Sequence, residues 1–204
     1  MSDELVLYTN PMSRGRVARW MLEEVGAPYR SEIVEYGAAM KAPGFLAINP
    51  MGKVPAITHG DRVVTENAAI CAYLADAFPD AGLAPPLGDR AAYYRWMFFA
   101  AGPLDAAAVD KALGREIPAD RAGMVGYSGY GPVLEAIEAA IAGRDYIAAA
   151  HFTAADLYVG SYLGFFMGFG VLEPRPAFRA YVDRLEARPA FARVAEIDGA
   201  MPGA

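Results

Sequence analysis

The chain changes its pattern of apolar residues once, and this change constrains the fold more than any other feature of the sequence. Over the first eighty residues, short apolar runs alternate with stretches of helical spacing; after the double proline at Pro85 and Pro86 only helical spacing remains. Alternation of strand-like apolar runs with segments of helical spacing is typical of an α/β domain. Uninterrupted helical spacing is typical of an all-α domain. We therefore expect two domains of different class.

The first domain is predicted to span residues 1–80. Strands are expected at residues 5–8, 29–36, 54–58 and 62–64, and helices at residues 17–25 and 66–78. His59, Gly60 and Asp61 separate the last two strands and predict a tight hairpin. The order strand, helix, strand, irregular segment, strand, strand, helix indicates a small α/β sandwich.

The second domain is predicted to be all-helical over residues 89–204, after a linker at residues 81–88. The linker is marked by the Ala-Pro-Pro-Leu-Gly sequence, which disfavours regular structure. Beyond it, apolar residues recur at helical spacing in four segments, residues 91–113, 132–142, 154–169 and 177–186.

The composition excludes several classes of function. A net charge of −6 and a pI of about 5.0 give no basic surface for nucleic acid. A single cysteine, Cys71, excludes an intramolecular disulfide, and neither His59 nor His151 has a partner at metal-ligand spacing. We therefore expect no metal site.

We expect no membrane span and a cytoplasmic location. The uncharged segment 157–172 is shorter than the ~20 residues that a spanning helix needs, and it contains four glycines. The first residues are acidic, whereas a secretory signal peptide begins with a basic region.

Two motifs of the first domain carry the candidate chemistry. The sequence Asn-Pro-Met-Gly-Lys-Val-Pro-Ala-Ile, residues 49–57, places Pro55 before an apolar strand, where a residue without an N–H is tolerated. Thr-Glu-Asn, residues 65–67, opens a helix, and a helix start favours a bound carboxylate. Either motif alone is ordinary turn or cap chemistry, but the pair followed by a helical domain favours a ligand site.

These motifs resemble the glutathione-binding half of bacterial-type cytosolic glutathione transferases, and the resemblance extends over nearly the whole chain. It implies a thioredoxin-like α/β N-terminal domain that binds glutathione as a co-substrate. It also implies an all-α C-terminal domain that supplies a hydrophobic substrate pocket and the contacts of a homodimer.

The resemblance also implies which residues contact glutathione. It makes the bond between Val54 and Pro55 cis, so that the backbone of Val54 pairs with the peptide-like ligand. Glu66 would accept from the ammonium of the γ-glutamyl group, and Asn67, where serine is more frequent, would bind its carboxylate. At the other end, Lys53 and Lys41 would neutralise the glycine carboxylate.

The activating group of the thiol is expected between the first strand and the first helix. A hydroxyl donor and a helix start lower the pKa of a thiol, and the thiolate is the nucleophile. The resemblance makes Ser13 the leading candidate, since serine-type transferases place their hydroxyl there. Tyr8 is the alternative of the tyrosine type, and Arg14 could add positive charge near the sulfur.

The second domain adds two expectations. The resemblance allows Asp105 to reach the glutathione of a partner subunit across a dimer. Thr153 and Asp156 form a capping box ahead of an apolar run, and we expect Asp156 to stabilise the fold rather than take part in chemistry.

The functional hypothesis is an enzyme that conjugates glutathione to a small hydrophobic electrophile. Two alternatives stay open on the same scaffold: a non-catalytic glutathione-binding or regulatory protein, and a glutathione-dependent isomerase or dehalogenase.

Overall fold

The computed structural model describes residues 4–199, which form two compact units. The first unit contains residues 4–84 together with 188–199, and the second contains residues 85–187. The first is a mixed sheet with helices, and the second is all-helical, as the sequence predicts.

The sheet of the first unit contains four strands in the order β2-β1-β3-β4. Their bounds are β1 Leu5–Thr9, β2 Arg30–Ile33, β3 Ala56–His59 and β4 Arg62–Thr65. β1 pairs in parallel with β2 and antiparallel with β3, and β3 pairs antiparallel with β4. The predicted hairpin joins β3 to β4, and Gly60 at its tip has a φ of 61°, which favours glycine.

Three helices precede the second unit: α1 Gly15–Val25, the short α2 Pro43–Leu46, and α3 Asn67–Ala77. α1 and α3 pack against each other and against the sheet. Their core consists of fully buried side chains, Leu7, Met21, Leu22, Ile57, Ile70 and Leu74. Because successive side chains of a strand point to opposite faces, Tyr8 lies on the other face from Leu7, where it packs with Phe45.

The second unit contains α4 Ala91–Phe99, α5 Asp105–Ala112, α6 Tyr130–Ile141, α7 Ala154–Gly168 and α8 Pro176–Glu186. The sequence predicted one helix over residues 91–113, but a π-helical turn over Ala100–Leu104 divides it into α4 and α5. This turn contains Pro103, which lacks an N–H and whose ring displaces the carbonyl one turn earlier.

α7 lies at the centre of the second unit, and the carboxylate of Asp156 in its first turn is fully buried. Asp156 accepts hydrogen bonds from the Ile147 N–H at 2.7 Å, the Thr153 N–H at 2.9 Å, the Thr153 hydroxyl at 2.9 Å and the Tyr181 hydroxyl at 2.8 Å. Burial raises the pKa of Asp156, and these hydrogen bonds oppose the rise. Burial and the neighbouring carboxylate also raise the pKa of Tyr181, so its phenol stays a donor.

The last helix, α9 Pro189–Asp198, belongs to the first unit, although the sequence prediction assigned residues 89–204 to the second domain. It packs on α1, where the rings of Trp20 and Phe191 meet edge to face at 4.8 Å. Arg19 of α1 forms a buried ion pair with Asp198 at 2.8 Å. These contacts between α1 and α9 join residues more than 150 positions apart, so no local sequence pattern could predict them.

None of the helices within residues 4–199 has the length and apolar character that crossing a membrane requires.

Candidate glutathione site

The strand register gathers the predicted site residues at one edge of the sheet. Tyr8 of β1 lies opposite Ala56, the first residue of β3, and Ala56 lies opposite Thr65, the last residue of β4. The segment that follows β1, the segment that precedes β3 and the segment that follows β4 therefore meet at this edge. These segments contain Ser13, the Val54–Pro55 pair and Glu66.

Residues 10–14, here named the Ser13 loop, connect β1 to α1. The buried Asn10 fixes the base of this loop, because its amide donates to the Val34 carbonyl at 3.2 Å and its Oδ1 accepts from the Met12 N–H at 3.0 Å. At the end of the loop, Gly15 lies so close to Thr9 that an added Cβ would lie 2.1 Å from the threonine Oγ1. Only glycine fits there.

The hydroxyl of Ser13 already makes two local hydrogen bonds. It donates to the Asn10 carbonyl at 2.7 Å and accepts from the Gly15 N–H at 2.9 Å. The Asn10 carbonyl also accepts from the Ser13 N–H at 3.0 Å. The Ser13 hydroxyl can therefore turn its proton toward a bound sulfur while the Asn10 carbonyl keeps a donor.

The segment before β3 is held by a second buried asparagine. Asn49 donates to the Lys53 carbonyl at 2.7 Å and accepts from the Met51 N–H at 3.1 Å, which repeats the arrangement of Asn10. The bond between Val54 and Pro55 is cis, as the resemblance implies. Sequence reasoning assigned no role to either asparagine, but an Asn-Pro pair at a turn was the available signal.

The two predicted lysines differ in their surroundings. The ammonium of Lys41 donates to the Met51 carbonyl at 3.0 Å and lies 3.4 Å from the Gly52 carbonyl, so it contributes to the turn itself. Lys53 is exposed, and no hydrogen bond or ion pair engages its ammonium within residues 4–199. Lys53 is therefore the better placed of the two to bind a carboxylate.

The start of α3 combines two unfavourable features. Glu66 has a φ of 67°, a conformation that side-chain-bearing residues rarely adopt, and its exposed carboxylate has no hydrogen-bond or ion-pair partner in the described part of the chain. Asn67 donates from Nδ2 to the Arg14 carbonyl at 3.0 Å, but its buried Oδ1 has no partner among residues 4–199. A buried acceptor without a donor costs about 1–3 kcal/mol.

The Asn67 contact bears on its predicted role. The Nδ2 of Asn67 carries two protons, of which one is donated to the Arg14 carbonyl and the other stays available for a γ-glutamyl carboxylate, so the predicted role of Asn67 stays a prediction. The backbone N–H groups of the first turn of α3 remain a binding site for an anion.

The other predicted residues lie as follows. Tyr8 is half-buried beside Phe45, with a ring separation of 6.1 Å, and Val54 packs in the same cluster. The side chain of Arg14 is exposed. Asp105 opens α5 in the second unit. The roles of these residues in binding or catalysis stay predictions.

Several other titratable groups offer no ligand site. Burial raises the pKa of the Cys71 thiol, which makes this cysteine a core residue rather than a nucleophile. A groove of about 740 Å³ lies between the end of α1 and the start of α9, but its two acidic residues, Glu23 and Glu24, are paired with Arg193 and Arg188. The described residues contain no cluster of three or more His, Cys, Asp or Glu side chains that could hold a metal ion.

Comparison with known proteins gives a consistent result. Residues 12–77 match the family described as "Glutathione S-transferase, N-terminal domain". Glutathione S-transferase 3 of Zea mays is 30% identical over 217 residues, which cover 92% of this chain and 91% of the maize protein. Glutathione S-transferase GST-4.5 of Xanthomonas campestris is 36% identical over 98 residues, 46% of each chain.

Solved structures extend the likeness to the whole fold. A sphingomonad glutathione S-transferase, solved in complex with glutathione, superposes with a TM-score of 0.76 at 31% identity and covers 95% of this chain and 98% of that one. The architecture is therefore a thioredoxin-like α/β unit joined to an all-α unit. The chain belongs to the glutathione S-transferase family. The bacterial subtype stays a prediction.

Proposed function

We propose that this chain is a glutathione transferase that joins the thiolate of glutathione to a small hydrophobic electrophile. One observation carries the proposal. At a single sheet edge, the first unit presents the Lys53 ammonium and the Glu66 carboxylate, neither of them paired within residues 4–199, together with a helix start and a serine hydroxyl. These groups are complementary to the two charged ends and the thiol of one tripeptide.

Each end of glutathione has a matching group. The γ-glutamyl carboxylate fits the first-turn N–H groups of α3 and the second amide proton of Asn67, and its ammonium fits the Glu66 carboxylate. The exposed ammonium of Lys53, with Lys41 beside it, suits the glycine carboxylate. The backbone of Val54 is suited to pairing with the cysteinyl residue in the manner of an added strand.

Ser13 is the group proposed to stabilise the thiolate. Its hydroxyl lies at the start of α1, and it can exchange its bond to the Asn10 carbonyl for one to the sulfur. A donor and a helix start lower the pKa of a thiol from its ordinary value near 8.5 and thereby raise the thiolate fraction at neutral pH. Arg14, which follows Ser13, adds positive charge.

The reaction then needs no metal. The thiol proton passes to solvent, and the thiolate attacks an electrophilic carbon to form a C–S bond. In a displacement the leaving group departs with the bonding electron pair, and in an addition the product takes up a proton.

The second unit is proposed to supply the hydrophobic substrate surface and the contacts of a homodimer. Two aromatic residues of α4, Tyr94 and Phe98, are 42% and 69% exposed, which leaves apolar surface for a partner or a substrate. Asp105 is proposed to contact a partner's glutathione. A cytoplasmic location agrees with the buried, unpaired thiol of Cys71 and with the reduced state of glutathione there.

The test is conjugation of glutathione to a generic aromatic electrophile by the wild type, Ser13→Ala and Tyr8→Phe. We expect Ser13→Ala to lower kcat/KM by about 10²-fold, and Tyr8→Phe to change it less than about threefold. Full activity in Ser13→Ala would refute the role of Ser13, and glutathione binding without turnover in the wild type would favour a non-catalytic protein.

A further inference from the structure

The sequence Asn-Pro-Met occurs twice in the first unit, ending at Met12 and at Met51, and both copies form turns at the candidate site. In each turn the asparagine Oδ1 accepts from the methionine N–H, at 3.0 Å in the first and 3.1 Å in the second. The carbonyl of the first methionine accepts from the Tyr36 hydroxyl at 3.1 Å, and that of the second accepts from the Lys41 ammonium at 3.0 Å. Because both backbone groups are used, each methionine presents only its side chain to solvent.

The methionines divide sharply by exposure. Within residues 4–199, Met12, Met51 and Met124 are 65%, 69% and 80% exposed. The others are more than nine-tenths buried: Met21, Met40, Met97 and Met167. Met12 differs from the other exposed methionines in its position, because the next residue is Ser13, whose hydroxyl is proposed to stabilise the thiolate. An exposed thioether therefore lies directly beside the proposed thiol site.

The thiol of the chain is shielded from oxidants, whereas this thioether is not. Cys71 is the single cysteine, it is buried, and burial raises the pKa of its thiol. A hydroperoxide attacks the thiolate form, so a buried thiol of raised pKa reacts slowly. Among the sulfur atoms within residues 4–199, the exposed thioethers are therefore the ones open to a hydroperoxide.

We propose that Met12 is an oxidation site that regulates conjugation: a hydroperoxide converts its thioether to the sulfoxide, and the sulfoxide weakens the reaction with an apolar electrophile. In this step the sulfur lone pair forms an S–O bond and the O–O bond breaks. The leaving oxygen takes the electron pair and a proton, and departs as water or an alcohol. A methionine sulfoxide reductase, with a thiol as reductant, reverses the change.

The expected effect follows from polarity. A thioether is apolar and adaptable, whereas a sulfoxide is polar and carries an acceptor oxygen. An apolar electrophile that approaches the sulfur at Ser13 would displace water from that oxygen, which costs free energy that the thioether does not require. The groups proposed to bind the two charged ends of glutathione are unchanged. The effect on conjugation rests on the proposed function, whereas the oxidation itself does not.

The first test maps the modification without glutathione. Full-length wild type is treated with hydrogen peroxide, and tandem mass spectrometry follows the oxidation of individual methionines over time. Met12 is expected to oxidise at least about tenfold faster than the buried Met21 and Met40. A Met12 that oxidises as slowly as these two would overturn the proposal.

The second test compares the wild type, Met12→Leu and Met51→Leu after peroxide treatment and removal of the peroxide. Each protein is referred to its own untreated sample. In the wild type and in Met51→Leu, oxidation is expected to raise the KM for an apolar electrophile about three- to tenfold, and Met12→Leu should keep its KM. Treatment with methionine sulfoxide reductase should restore the wild type. The Kd for glutathione, measured by calorimetry, should change less than about twofold.

Met51→Leu is the matched control, because Met51 occupies the same kind of turn with similar exposure but is not adjacent to Ser13. An equal rise of KM in oxidised Met12→Leu, or protection by Met51→Leu instead, would overturn the proposal. Untreated wild type that does not conjugate glutathione would refute the proposed function, and the oxidation map would still decide whether Met12 is a modification site.

Discussion

The starts of α3 and α7 show two ways to begin a helix. The start of α7 is buried, and its carboxylate, Asp156, has hydrogen-bond partners on both oxygens. The start of α3 is exposed at Glu66, whose side chain makes no cap hydrogen bond, and the next residue, Asn67, carries an unpaired acceptor. The first start pairs its buried carboxylate within the fold, and the second leaves a buried acceptor unpaired within residues 4–199.

The difference follows from what each helix does. α7 lies at the centre of the second unit, where an unpaired charge would be costly, and four hydrogen bonds pair the Asp156 carboxylate. α3 begins at the sheet edge where the candidate site lies, and free N–H groups there are useful because an anion can bind them. Side-chain cap hydrogen bonds are also absent at α1, α4, α5, α6, α8 and α9; what distinguishes the start of α3 is the positive φ of Glu66 and the buried, unpaired Oδ1 of Asn67 within residues 4–199.

The largest expected effect is loss of the α7 cap. Asp156→Ala would leave the Tyr181 hydroxyl and two backbone N–H groups without an acceptor inside the core, which lowers the free energy of unfolding by about 3–5 kcal/mol. Urea denaturation measures this change. Asp183→Ala, at an exposed position of α8, is the matched control and should lie within about 0.5 kcal/mol of wild type. Wild-type stability in Asp156→Ala would show that the cap contributes nothing.

A smaller effect of opposite sign is expected at the start of α3. Glu66→Gly relieves the positive φ and should raise the free energy of unfolding by about 1 kcal/mol, whereas Glu66→Gln keeps the strain and should match wild type. Both variants lose the carboxylate and should weaken glutathione binding about tenfold. Binding and stability that fell together would mean that Glu66 serves the fold, as Asp156 does.

The weakest expected effect is a pH dependence at Asp156. Because burial raises its pKa above the ordinary 3.8, against its hydrogen bonds, the folded chain holds this proton more tightly than the unfolded chain does. Its contribution to stability is therefore greatest below 3.8 and falls as the pH rises through the raised pKa. Denaturant midpoints between about pH 3.5 and 6 should show the wild type losing stability relative to Asp156→Asn. A wild type that gains stability relative to Asp156→Asn over this range would mean that the hydrogen bonds lower the pKa of Asp156 by more than burial raises it.

The sequence predicted the features that depend on neighbouring residues. The capping box at Asp156, the strand start at Pro55 and the helix start at Glu66 are short patterns with local physical causes, and all three occur where they were expected. Pro103 also carried a local signal, since a proline inside a predicted helix indicates an irregular turn.

The remaining features join distant parts of the chain. The contact of Asn67 with Arg14 spans 53 positions, and the ion pair of Arg19 with Asp198 spans 179. Such contacts depend on the strand register and on how α9 returns to α1, which periodicity does not encode. The sequence therefore identified the candidate binding groups but not the long-range contacts around them.

The most direct test of the account is calorimetric titration of glutathione into the wild type and the double variant Lys53→Met with Glu66→Gln. If the sheet edge of the first unit at which α3 begins is the binding site, the wild type binds one glutathione per chain. The double variant then binds about 10²-fold more weakly, with an unchanged free energy of unfolding. Equal affinity of the two proteins, or no binding by the wild type, would contradict the account.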